Sequence, residues 1–189
     1  MNPIIPQATL NVLQDTKQWY AQDPTRVDFH VNEYKEEVTS NRCFICRLVS
    51  GDPTLPAHNI IAEDDDHIAF FDRFPTWHGY TLVCPKQHLE NVFTDLTLVQ
   101  YQALQTFTYR VGQAIAHVLQ PERMYLCSLG SVQLNSHLHF HLVPLPHGVP
   151  IEAQQTVAIE RNVTGYLDIQ PKEREDLADN IRQALYALS

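Results

Sequence analysis

The run His137-Leu138-His139-Phe140-His141-Leu142-Val143 constrains the fold more than any other stretch of this 189-residue chain. On a strand, whose side chains point alternately to opposite faces, it sends three imidazoles to one side and Leu138, Phe140 and Leu142 to the other. Neighbouring imidazoles then stand about 6–7 Å apart along the strand. The apolar side needs a core to cover it. For the other side three readings compete: nucleophilic or acid–base catalysis, a three-histidine metal site, and a chance grouping of surface histidines. Strict alternation with apolar partners argues against the last.

The rest of the chain supplies partners for such a strand. Residues 59–63 and 67–72 read as two strands joined across the acidic turn Asp64-Asp65-Asp66, and residues 79–84 as a third, closed by Pro85. Residues 124–129 pair with 137–143 around a loop containing Gly130, and Pro144, Pro146, Gly148 and Pro150 break the chain afterwards. Leu96, Val99, Leu104, Phe107, Val111, Ile115 and Val118 recur at three- and four-residue steps, which predicts one long helix over 95–119. A shorter helix is expected over 9–21, carrying Leu10, Val12, Leu13, Trp19 and Tyr20, followed by the polar stretch 31–42. A brief one runs over 43–50, ending at Gly51-Asp52-Pro53, and another over 171–188, opened by Pro171 and acids. Short antiparallel strands with helices inserted between them give an α+β fold with a sheet of about five strands.

Net charge is -9, from 22 acidic and 13 basic side chains, with no Lys/Arg cluster, which argues against extended nucleic acid as a partner while leaving a small nucleotide open. The first residues, MNPIIPQATL, lack a basic segment followed by an apolar one, and no apolar run is long enough for a membrane span, which points to the cytoplasm. Four cysteines are too few for a disulfide scaffold. Two of them form Cys43-Phe44-Ile45-Cys46, a spacing that suggests metal or redox chemistry, whereas Cys84 and Cys127, inside apolar strands, read as core residues.

Residues 137–143 match every position of the signature His-φ-His-φ-His-φ-φ, with φ apolar, and so the chain resembles the histidine-triad (HIT) superfamily. The resemblance runs upstream through residues 79–88 and 67–72 to the Cys43-Phe44-Ile45-Cys46-Arg47 opening, which looks like the zinc-containing branch that includes bacterial dinucleoside polyphosphate hydrolase-like members. It implies a histidine-triad domain over 43–147, with helical extensions over 1–42 and 148–189. It also implies an enzyme that hydrolyses or transfers a nucleotidyl group at the α-phosphorus of a dinucleoside polyphosphate or nucleoside phosphoramidate. His139 is then the nucleophile that forms a covalent nucleotidyl-imidazole, with its other ring nitrogen held by a backbone carbonyl, and His141 and His137 complete the triad. Gln133 falls at a position that touches phosphate, Asn135 and Ser131 can add polar contacts, and Asp72 falls at the position that holds ribose hydroxyls. Asp72 has a plainer reading as a turn cap after an apolar strand. A structural zinc on Cys43, Cys46, His88 and His137 is implied, with no metal needed for the chemical step, and so is a homodimer.

The pattern also departs from the family. Tyr80 stands where a histidine usually follows Gly79, Leu134 stands where a Ser or Thr usually helps to bind phosphate, and Val132 stands where glycine is common. These departures keep two alternatives open. One is a nucleotide-binding module without turnover; the other is a metal-dependent hydrolase in which the three histidines ligate a catalytic ion.

Overall fold

A computed structural model describes residues 25–40, 42–130 and 134–188. The helix expected over 9–21, together with Ser131, Val132 and Gln133, lies outside the described residues.

Five strands form the expected antiparallel sheet: β2 (Ile60–Glu63), β3 (His67–Phe71), β4 (Thr81–Pro85), β5 (Arg123–Cys127) and β6 (Phe140–Leu145), in the order β2-β3-β4-β6-β5. The acidic turn closes the first hairpin because the Asp64 carboxylate accepts from the Asp66 and His67 backbone N–H groups at 2.9 and 2.7 Å. Strand β4 starts later than expected. Gly79 takes φ 77°, and a Cβ there would run into the Leu119 side chain, so the chain turns on glycine before the strand begins. Strand β6 is shifted in the same sense, starting at Phe140 and running through Pro144, which the sequence marks as a terminator. Proline is tolerated because the pairing with β4 ends at Thr81↔Leu142, so no β4 carbonyl is left waiting for the N–H that Pro144 lacks, while Pro144 still lies opposite Met124 of β5.

Both faces of the sheet are covered, and β3, β4 and β6 are accordingly buried along their whole length. On one face Ala69, Phe71, Val83, Phe140 and Leu142 pack under the long helix α3 (Leu98–Leu119) and under α6 (Pro171–Ala187), which adds Ala178, Ile181 and Ala184. Helix α3 begins three residues after the expected start because Thr97 caps it, with Gln100 completing a reciprocal capping box, and Val99 is exposed on its outer side. Ile181 is fully buried, worth about 1.5–3 kcal/mol of apolar burial, so the C-terminal helix belongs to the main core. The opposite face presents Ile68, Phe70, Leu82, Cys84, Val143 and Leu145 to Ile45 of α2 (Phe44–Val49) and to Val157 and Ala158 of α4 (Gln154–Ile159).

Four further short elements complete the described fold. Strand β1 (Arg26–Val27) pairs antiparallel with β7 (Tyr166–Leu167), which follows the short helix α5 (Arg161–Thr164). The stretch expected to be merely polar forms helix α1 (Val31–Ser40). Its Tyr34 ring packs on Phe29 and Phe74 at 5.4 and 5.7 Å, a tertiary anchor that a sequence with so few apolar positions does not advertise.

Candidate active site and metal cluster

Leu138, Phe140 and Leu142 point into the helix-covered core, so the three imidazoles share the other side as the alternation requires. They do not share one environment. His137 lies outside the regular strand, and the Leu138 N–H beside it is held by the Leu89 carbonyl at 2.6 Å, which brings the His137 ring to the cysteine pair. His139 and His141 line a cavity of about 290 Å³, and His137 does not. Of its two expected places, the one among the cysteines and His88 is where its ring stands.

His139 is almost fully buried, and its Nδ1 lies 2.6 Å from the His137 carbonyl oxygen. A carbonyl only accepts, so Nδ1 carries the hydrogen and Nε2 keeps its lone pair. Burial lowers the His139 pKa, which keeps the ring neutral near pH 7. Gly130 sits against this ring: a Cβ there would lie 3.4 Å from His139 Cε1 and 3.3 Å from the Asn135 carbonyl. His141 stands beside it with ring centroids 4.7 Å apart. Its Nδ1 is 2.8 Å from the Tyr80 hydroxyl, and its buried Nε2 has no hydrogen-bond partner among the described residues. Burial, and then His139, lower the His141 pKa to about 3. The missing family histidine is therefore replaced by a phenol that reaches the same triad.

The cavity is walled by segments on both sides of the sheet domain. Helix α1 contributes Tyr34 and Val38, α2 contributes Phe44, and α5 contributes Arg161. Leu134 and Asn135 also line it. Asp72 lines it as well, but its carboxylate is already engaged. Arg161 donates to both oxygens at 2.7 and 3.3 Å, and the Phe74 N–H donates at 2.8 Å. Burial alone would raise the Asp72 pKa, yet the Arg161 guanidinium holds it below the ordinary carboxylate value. Tyr80 as a triad partner, Arg161 and the α1 wall were not legible in the sequence, and for Arg161 no local motif exists that could have found it.

Cys43, Cys46, His88 and His137 converge, with their ligand atoms all within 4.8 Å of one another. Cys43 Sγ is 3.4 Å from His137 Nδ1, and Cys46 Sγ is 3.2 and 3.6 Å from His88 Nδ1 and His137 Nδ1. A tetrahedral zinc, with bonds of about 2.3 Å to sulfur and about 2.0–2.1 Å to nitrogen, sets its ligand atoms roughly 3.3–3.8 Å apart, so the donor set fits that ion in kind and its three sulfur–nitrogen contacts lie close to the required spacing. The outer nitrogens are also supported: His137 Nε2 lies 2.8 Å from the Pro85 carbonyl, and His88 Nε2 lies 3.3 Å from the Glu90 carboxylate. Burial and the neighbouring Cys43 thiol push the Cys46 thiol up to about 11, so a cation entering the cluster would release its proton. Among the described residues this is the group able to hold a metal, and it contains one triad histidine and not three.

A family model described as HIT domain matches residues 55–148. An uncharacterized HIT-like protein of Mycoplasma genitalium is 31% identical over 112 residues, covering 58% of this chain and 77% of that protein. An adenosine 5'-monophosphoramidase of Schizosaccharomyces pombe is 31% identical over 108 residues, covering 56% of this chain and 75% of that enzyme. Among solved structures, a zinc-bound histidine triad family protein from Mycobacterium smegmatis is similar at a TM-score of 0.60 and 25% identity, covering 77% of this chain and 94% of that one. A hypothetical histidine triad nucleotide-binding protein from Sulfolobus tokodaii shares the fold at a TM-score of 0.62 and 23% identity, covering 77% and 93%.

Proposed function

This chain belongs to the HIT family, and on that footing we propose that it hydrolyses or transfers nucleotidyl groups through a covalent nucleotidyl-His139 intermediate. The observation that carries the proposal is the state of His139: a buried, neutral imidazole at the cavity wall whose Nδ1–H is tied to a carbonyl and whose Nε2 lone pair is free. In the first step Nε2 forms a bond to the α-phosphorus as the bond from phosphorus to the leaving oxygen or nitrogen breaks, and the leaving group takes up a proton from solvent. Water or another acceptor then attacks phosphorus from the same cavity, giving up a proton to solvent as the phosphorus–Nε2 bond breaks and neutral His139 is restored. His141 faces the phosphoryl oxygens. Asp72 meets the substrate as half of its pair with Arg161, so the sugar hydroxyls contribute little to affinity.

We assign zinc to Cys43, Cys46, His88 and His137, where it ties α2 to the strand carrying His139 and takes no part in bond making. The substrate is a dinucleoside polyphosphate or a nucleoside phosphoramidate, and the activity named for the Schizosaccharomyces pombe relative supports the second. A homodimer, checked by light scattering, belongs to the same reading. No helix among the described residues is long and apolar enough to cross a membrane.

Turnover of an adenosine phosphoramidate and of diadenosine tetraphosphate by the wild type and by His139→Ala tests the proposal. Product from either substrate with the wild type, and from neither with the variant, is expected. AMP binding without any product would favour the non-catalytic reading, for which the apolar Leu134 lining the cavity is the motivating observation.

A further inference from the structure

Tyr80 occupies the place just before β4 with both backbone groups held: its N–H donates to the Trp77 carbonyl at 3.2 Å, and its carbonyl accepts from the Asp72 N–H at 2.9 Å. Leu82 lies opposite His141 in the β4–β6 ladder, so Tyr80, two residues earlier, projects from the same face toward that imidazole. The rings meet edge-on with centroids 5.7 Å apart, and the hydroxyl lies 2.8 Å from His141 Nδ1. Tyr80 is 1% exposed and His141 7%. Both groups stay neutral at ordinary pH, because burial raises the phenol and lowers the imidazole.

Two proton arrangements share the same heavy-atom distance. If His141 Nδ1–H donated to the phenol oxygen, the phenol hydrogen would need another acceptor in the buried interior. Among the described residues the hydroxyl has no second acceptor at hydrogen-bond distance: the Asp72 carboxylate is engaged by Arg161 and the Phe74 N–H, and the Arg161 guanidinium, which lies over the Tyr80 ring, has hydrogens to donate and no lone pair to offer. A buried O–H would then be left without an acceptor. If the phenol instead donates to Nδ1, that hydrogen is satisfied within the pair. The one group left without a partner is then His141 Nε2–H, at the wall of the cavity.

We propose that Tyr80 is a positioning residue that holds His141 as its Nε2–H tautomer, so that this N–H is the donor presented to a phosphoryl oxygen of the group bound at His139. The pairing turns a residue that breaks the family pattern into one that sets the direction of a hydrogen bond. Fixed donors aimed at developing negative charge accelerate phosphoryl and acyl transfer because they need no reorganisation during the reaction. The donor's ligand rests on the nucleotidyl reading above. The tautomer does not.

The test is nitrogen NMR of the full-length, histidine-labelled protein without substrate, with His141 assigned by its loss in His141→Gln. A proton on Nε2 and a bare, hydrogen-bonded Nδ1 are expected, and in Tyr80→Phe the Nδ1 signal moves toward its value without a hydrogen bond. Tyr80→Phe is expected to lower kcat about tenfold, the cost of a donor misaimed but not deleted, with KM within about twofold. Tyr80→His, which restores an N–H donor, recovers most of that loss. A proton on Nδ1 in the wild type overturns the proposal, as does unchanged kcat in a folded Tyr80→Phe. If Tyr80→Phe does not fold, the wild-type tautomer and the Tyr80→His kinetics decide. A chain that turns over no nucleotide refutes the nucleotidyl reading alone, since the tautomer is read without substrate.

Discussion

Replacing Arg161 by alanine should reveal how the C-terminal segment is bound to the site. Asp72 is 4% exposed, and its carboxylate accepts from Arg161 at both oxygens and from the Phe74 N–H. Removing the guanidinium leaves a buried carboxylate with one backbone donor, a loss of about 3–5 kcal/mol. For a chain of this length that lowers Tm by roughly 6–15 °C at pH 7. The pH dependence identifies the cause. In the wild type the lowered Asp72 pKa contributes stability that is complete above the unfolded value of about 3.9 and is lost as pH falls through the folded value. In Arg161→Ala, burial is opposed mainly by the Phe74 N–H and raises that pKa. The penalty is then complete above the raised value and is relieved as pH falls toward about 3.9. Thermal melts of both proteins from pH 7 down to pH 4 should therefore converge on the acid side, and Asp72→Asn/Arg161→Met should lose less than Arg161→Ala. A difference below about 1 kcal/mol, or one that is the same at every pH, would refute the assignment of a buried, stabilising pair.

Cys46→Ala should abolish stoichiometric zinc by elemental analysis and cost about 4 kcal/mol where free zinc stands a thousandfold above its Kd, read as a fall in Tm that added zinc no longer reverses. Gly79→Ala should cost about 2–4 kcal/mol by denaturant titration, since it combines a positive φ with a side chain driven into Leu119. Because Arg161 already occupies the Asp72 oxygens, AMP and 2'-deoxy-AMP should bind the wild type within about threefold by calorimetry. Arg161→Met, which frees the carboxylate for the vicinal hydroxyls, should widen the preference for AMP to about tenfold.

Local chemistry explains which elements were legible in advance. The β2–β3 hairpin announces itself because Asp64 is a turn-former that accepts from the backbone of the next strand, and α3 because its buried face repeats over 22 residues. At the edges of β4 and β6 register overrides local punctuation: Pro144 continues a strand on the side where no ladder bond is required. Helix α1 has too few apolar positions to register as amphipathic, and its stability comes from Tyr34 docking on Phe29 and Phe74. The site divides in the same way. The alternation around His139 and His141 is local and could be read directly. The convergence of His88 with Cys46, 42 residues earlier, is a tertiary fact, suggested only by family resemblance. Tyr80 looked like a missing imidazole because a single position cannot show that its hydroxyl reaches His141.

Covalent nucleotidylation of His139 is tested most directly by intact-protein mass after rapid acid quench with an adenosine phosphoramidate, followed by peptide mapping. A transient gain of one adenylyl group on the peptide containing His139, absent in His139→Ala, is expected. Turnover without any such adduct at the earliest quench times, or an adduct mapped to another residue, would contradict it.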